Sequence, residues 1–111
     1  MSLNQEEQTC QQMNQGEVLN ASHKEYPLHK VIIYGDKISC AKLSKRLSCA
    51  IKHLPIRVHF SYEHDAKKAL NPSVTKDPTI VVDSKIFLEG LVQTEEITNA
   101  FEKLLTNKQK D

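Results

Sequence analysis

Residues 31 to 54 read VIIYGDKISCAKLSKRLSCAIKHL, and this stretch decides the fold because its hydrophobic period changes partway along. Val31, Ile32, Ile33 and Tyr34 form an unbroken apolar run, which suits a strand buried on both faces and central in its sheet. Gly35-Asp36 ends that run. From Ser39 onward, Cys40, Leu43, Leu47, Ala50, Ile51 and Leu54 recur every three or four positions, the spacing of one stripe along a helix. Ser39 is expected to cap the helix and Pro55 to stop it. Cys49 lies about 180° from Cys40 at ~100° per residue, so it faces away from the stripe and the two thiols form no local pair.

Beyond Pro55 the period changes again. Ile56, Val58, Phe60 and Tyr62 alternate with Arg57, His59 and Ser61, a half-buried strand. EHDAKKALN then allows a short helix or turn, followed by a loop broken at Pro72 and Pro78. Two β-rich runs, TIVVD and KIFLEG, meet at Asp83-Ser84 and read as an antiparallel hairpin with a tight turn. Thr94 is expected to cap a last helix, with Glu95 and Glu96 complementing its dipole and Ile97, Ala100, Phe101, Leu104 and Leu105 on its apolar face. The order is β-α-β-(α)-β-β-α, an α/β fold.

The chain has 111 residues, enough for one domain, and 15 basic against 14 acidic side chains leave a net charge of +1. Neither a general nucleic-acid surface nor an acidic tail follows from such totals. Residues 1–27, rich in Gln, Asn, Glu and Ser, read as a disordered or loosely attached tail in which Cys10 is an exposed thiol without function. The domain is expected over 28–107, with 108–111 a short C-terminal tail. Three cysteines are an odd number, and the first residues carry no apolar h-region, so a secreted disulfide framework is not expected. No apolar run approaches the ~20 residues of a membrane span. A monomeric cytoplasmic protein, engaging neither membrane nor nucleic acid, is the expectation.

The element order, with Pro78 directly before the third strand, resembles the thioredoxin fold in its glutaredoxin-sized form, from about Lys30 to Leu105. VIIYGDKISCAKL is similar to the strand, loop and helix start of glutaredoxins and of the short redox-active disulfide proteins, with the CxxC pair reduced to one cysteine. DPTIVVD looks like the proline-threonine-apolar run of that family, which makes Pro78 its cis-proline, and Gly90 stands where the family carries a glycine before its last helix. The resemblance implies a three-layer, thioredoxin-like domain with a central mixed four-stranded sheet. A ferredoxin-like sandwich, the nearest competitor, wants a further terminal strand that Lys103 to Asp111 does not offer.

Cys40 is the candidate nucleophile, because unpaired N–H groups and the dipole at a helix start favour a thiolate. From Lys37 to Tyr62 the ionised side chains are all basic: Lys37, Lys42, Lys45, Arg46, Lys52 and Arg57. In one alignment Cys40 attacks, Lys37 steadies thiolate or glutathione, and only monothiol exchange through a mixed disulfide is available. In a second, counted back from Leu54-Pro55, Cys40 occupies the resolving position and Lys37 the attacking one, leaving a redox-inactive module that binds a peptide or protein. Both alignments stay open at this point, as does a third role for Cys40, that of a small buried hydrophobe on the apolar stripe. The expected substrate-binding set is Lys37, Ser39, Asp77, Pro78 and Thr79, and the expected partner is glutathione or a protein thiol or disulfide. Glutathione would be a co-substrate, and no resident cofactor is implied. The resemblance sets Asp77, ahead of the cis-proline, beside the reactive cysteine, where an acid would oppose a thiolate at Cys40 and its backbone would pair with an extended peptide or with glutathione. The five histidines lack metal-ligand spacing, no metal site is expected, and His59 and His64 read as solvent-facing.

Overall fold

The computed structural model describes residues 10–64 and 78–110, the last four as backbone alone. Along the described chain run β1 (Val18–Leu19), β2 (Leu28–Tyr34), α1 (Lys37–Ile51), β3 (Arg57–Glu63), β4 (Thr79–Val82), β5 (Lys85–Glu89) and α2 (Thr94–Lys110). β3 continues through Glu63; from residue 65 on, the expected short helix or turn, with Pro72 and Asp77, lies outside the described residues.

The strands form one mixed sheet in the order β1-β3-β2-β4-β5. β2 is central, as its continuous apolar run implies, with β3 parallel on one side and β4 antiparallel on the other. A parallel pair cannot be closed by a tight turn, and α1 supplies the crossover. β4 and β5 are joined by Asp83-Ser84, whose φ angles of 49° and 73° are both left-handed, as the twist of a two-residue hairpin demands.

Four strands were expected and the described residues form five, because the segment read as a tail contributes β1. Val18 lies opposite His59 and Leu19 opposite Val58, antiparallel along the outer edge of β3. Two residues are too few to show a period of two. Their order comes from the open backbone edge of β3 and from anchors described below.

The register puts Val31 and Ile33 of β2, Val58, Phe60 and Tyr62 of β3, and Ile80 and Val82 of β4 on one face. Against it pack Cys40, Leu43, Leu47, Ala50 and Ile51 of α1 with Ile97 and Phe101 of α2, and the rings of Phe87 and Phe101 sit 4.7 Å apart. The stripe read from the sequence is the buried stripe, except that Leu54 is only partly buried.

α1 begins three residues earlier than expected, and its cap is Asp36, not Ser39. The Asp36 carboxylate accepts the Ser39 backbone N–H at 2.8 Å and the Ser39 hydroxyl at 3.0 Å. An acid outcompetes a serine because it satisfies an orphan N–H and meets the positive end of the helix dipole together. In α2 the first helical bond runs from Ile97 N–H to Gln93 O, one residue before the expected cap Thr94, and Glu96 reaches back to the Gln93 N–H.

Candidate functional site

The shift of the α1 cap decides where Cys40 sits. Lys37, Ile38 and Ser39 make up the first turn, and Cys40 closes it by donating its N–H to Asp36 O at 2.9 Å. Its side chain is 2% exposed, within the cluster that holds Ile33 and Leu43. The sulfur lies 3.6 Å from Ile33 O and 3.5 Å from Gly35 O, at the C-terminal end of β2. Two carbonyl acceptors suit an S–H that donates rather than a thiolate that accepts. Gly35 (φ 147°) permits the chain to turn between strand and helix there.

The other expected site residues separate. Lys37 is exposed, Ser39 is half-buried with its hydroxyl turned to Asp36, and Asp77 lies outside the described residues. Thr79 is fully buried opposite Tyr34, on the sheet face that points away from α1. Pro78 is buried too, and its carbonyl accepts the Gly90 N–H at 2.7 Å. Having no N–H of its own, Pro78 cannot donate to an incoming strand.

At the surface, the start of α1 presents Ile38, 71% exposed, beside Lys37. A shallow cleft of about 310 Å³ runs along this face, lined by Lys37, Ile38, Ala41, Lys42, Lys45 and Gln12. A second, of about 230 Å³, is lined by Lys42, Lys45, Arg46, Cys49 and Thr94. Arg46 Nη1 donates to Leu91 O and Val92 O, at 3.2 and 3.0 Å, tying the loop before α2 to this helix.

Gln12 belongs to a strap that the sequence did not reveal. Cys10 is buried and disulfide-bonded to Cys49, with their Cα atoms 5.4 Å apart, which corrects the expectation of an exposed free thiol. The Ser48 hydroxyl donates to Gln11 O, and Met13 N–H donates to Ser44 Oγ, each at 2.8 Å. Tyr62 bonds both Ser44 and Met13 O. A phenol has one proton; given to Met13 O, it leaves Ser44 to donate back to Tyr62, and the ring satisfies both backbone groups of Met13. From there Gly16 N–H reaches Phe60 O and Phe60 N–H reaches Glu17 O, at 2.7 and 2.9 Å. Asn20 Nδ2 closes the strap onto Leu54 O and Ile56 O. Serines four apart, beside an apolar stripe, were the available signal: buried hydroxyls on a helix need partners from elsewhere.

The helix wheel correctly turned Cys49 away from Cys40, toward a partner that composition had assigned to a loose tail. The disulfide also removes the cysteine-based argument for a reducing compartment. Of the histidines, His64 is exposed, with Nδ1 2.9 Å from Gly35 O, whereas His59 is half-buried on β3. No group of three or more His, Cys, Asp or Glu that could hold a metal is found among the described residues, and none of their helices is long and apolar enough to cross a membrane.

Compared with known proteins, the chain matches no family model, no curated protein and no solved structure.

Proposed function

We propose that this chain is a thioredoxin-like binding module that holds an acidic peptide segment on the exposed face of α1, without thiol chemistry at Cys40. The element order, the mixed sheet with α1 crossing between its parallel strands, and Pro78 leading into β4 support the thioredoxin-like reading. The observation that carries the functional half is the buried Cys40 sulfur. A nucleophile must meet its substrate, and the residues that meet solvent at this helix start are Asp36, whose carboxylate is engaged by Ser39, together with Lys37 and Ile38. A cation beside an exposed apolar side chain, continued by Lys42 and Lys45 along a cleft, suits an acidic peptide with an aliphatic residue.

Two measurements test the reading together. Turnover of a glutathione mixed disulfide should be equal in wild type and Cys40→Ser, and a glutamate-rich peptide carrying one leucine should shift the amide resonances of Lys37, Ile38 and Ala41. Turnover lost on Cys40→Ser would restore the oxidoreductase reading, in which Cys40 exchanges with glutathione. Peptide binding that survives Lys37→Gln/Lys42→Gln unchanged would remove this face as the docking surface.

A further inference from the structure

The second cleft on α1 places a disulfide among cations, and it requires neither Cys40 nor a bound partner. Cys49 is half-exposed and lines the cleft of about 230 Å³ with Lys42, Lys45 and Arg46, whereas Cys10 is only 5% exposed. Lys42 and Lys45 project from the exposed face of α1, and the Arg46 guanidinium is held by Leu91 O and Val92 O. The acids nearest in sequence to the Thr94 wall are Glu95 and Glu96, and Glu96 is turned back onto the Gln93 N–H.

We propose that the Cys10–Cys49 disulfide is an exchange site, opened from the Cys49 side to small anionic thiols of the glutathione class. The incoming thiolate attacks Cys49 Sγ in line with the S–S bond. A new S–S bond forms between the thiol and Cys49, the Cys10–Cys49 bond breaks, and its electron pair leaves on Cys10 as thiolate. A second thiol attacking the sulfur of the incoming group would release a symmetrical disulfide and leave Cys49 reduced, so the electrons come wholly from the thiol pool.

Two features of the cleft favour this direction. Cys49, and not the buried Cys10, lines the cleft, so a nucleophile entering it meets the Cys49 side of the bond, and attack there expels Cys10. The three cations that line the cleft with Cys49 raise the local concentration of an anionic thiol. The inner end of the strap remains bonded through Gln11 and Met13 to Ser48 and Ser44, so exchange unhooks its outer end first.

The test uses the oxidised full-length chain, with glutathione compared against cysteamine, a cationic thiol. Reactions are quenched with acid, followed by intact mass, and the adduct is mapped by proteolysis. The expected result is an adduct on Cys49, with a rate constant per thiolate at least ~5-fold higher for glutathione at low salt, converging as salt shortens the Debye length. Lys42→Gln/Lys45→Gln, both at exposed positions, should remove most of that preference while the circular dichroism spectrum is unchanged. An adduct on Cys10, or equal rate constants for the two thiols, would overturn the proposal. So would a preference that the double variant leaves intact.

Discussion

The hydroxyl oxygen of Tyr62, on β3, lies 2.7 Å from Ser44 Oγ, on α1, and this pair joins helix to sheet directly under the strap. Tyr62→Phe removes one member of the ring and leaves Met13 O without its phenol donor. Loss of one such bond with a partly buried partner costs about 1–2 kcal/mol. Burial holds the Tyr62 phenol above its ordinary 10.0, partly offset by the bond to Ser44. The folded chain therefore keeps the proton longer than the unfolded one. The stabilisation is complete below pH 10 and is lost as pH rises through the folded value. Urea titrations from pH 8 to 11.5 should show a steeper alkaline loss for wild type than for Tyr62→Phe; parallel curves would mean that the phenol does not carry this linkage.

The strap should also contribute to stability through its disulfide. Cys10 and Cys49 are separated by 39 residues, and closing such a loop stabilises a fold by about 4 kcal/mol in the chain-entropy account. Cys10→Ser/Cys49→Ser should therefore unfold at lower denaturant by about 2–4 kcal/mol. Amide exchange should quicken first at Met13 and Gly16, whose N–H groups are bonded to Ser44 and Phe60. Unchanged protection at those two amides would show that hydrogen bonds alone fix the strap.

What the sequence disclosed and what it hid divide along one physical line. Runs whose side chains carry the period, such as Val31 to Tyr34 and Leu43 to Ile51, were legible because burial of apolar area decides their faces. The strap was not legible, since its order comes from backbone groups meeting Ser44, Ser48 and Phe60 and from one covalent bond, none of which leaves a hydrophobic pattern. The site suffered from the same blindness at shorter range. Choosing Ser39 over Asp36 as cap moved the helix start by three residues, nearly one turn, and that turn separates an exposed position from the buried one Cys40 occupies.

His29 was likewise hidden. It is 1% exposed at the start of β2, with Nδ1 2.7 Å from Asp83 Oδ2, while Asp83 Oδ1 accepts the Lys30 N–H at 2.9 Å. One carboxylate thus serves a buried ring and a strand backbone, from a turn position whose left-handed φ favours Asp or Asn. In a neutral ring that donates from Nδ1, the buried Nε2, which has no hydrogen-bond partner among the described residues, is a lone pair and not an unpaired N–H. Asp83→Ala should destabilise by about 1–3 kcal/mol, since it strands the buried ring nitrogen and strains the turn. Asp83→Asn keeps an acceptor and the turn geometry and should lose less than half as much. Equal losses in the two variants would place the contribution in the carboxylate charge instead.

Asp36 links stability to pH on the acid side. The Ser39 backbone N–H, then the Ser39 hydroxyl, hold its carboxyl below the ordinary 3.8. A folded value depressed in this way means that the unfolded chain binds more protons in acid. The cap's contribution is therefore present above the unfolded value and is lost as pH falls through the folded one. Asp36→Ala should be less stable than wild type at pH 7, by a margin that stays constant down to the ordinary carboxylate range and then closes. Asp36→Asn, which can still accept the Ser39 N–H, should show a smaller margin and less of this closing. Denaturant midpoints for the three proteins from pH 7 to pH 2 measure both effects. A wild-type advantage over Asp36→Ala that persists undiminished at pH 2 would show that the charge does not power the cap, and that Ser39 or the backbone alone starts α1.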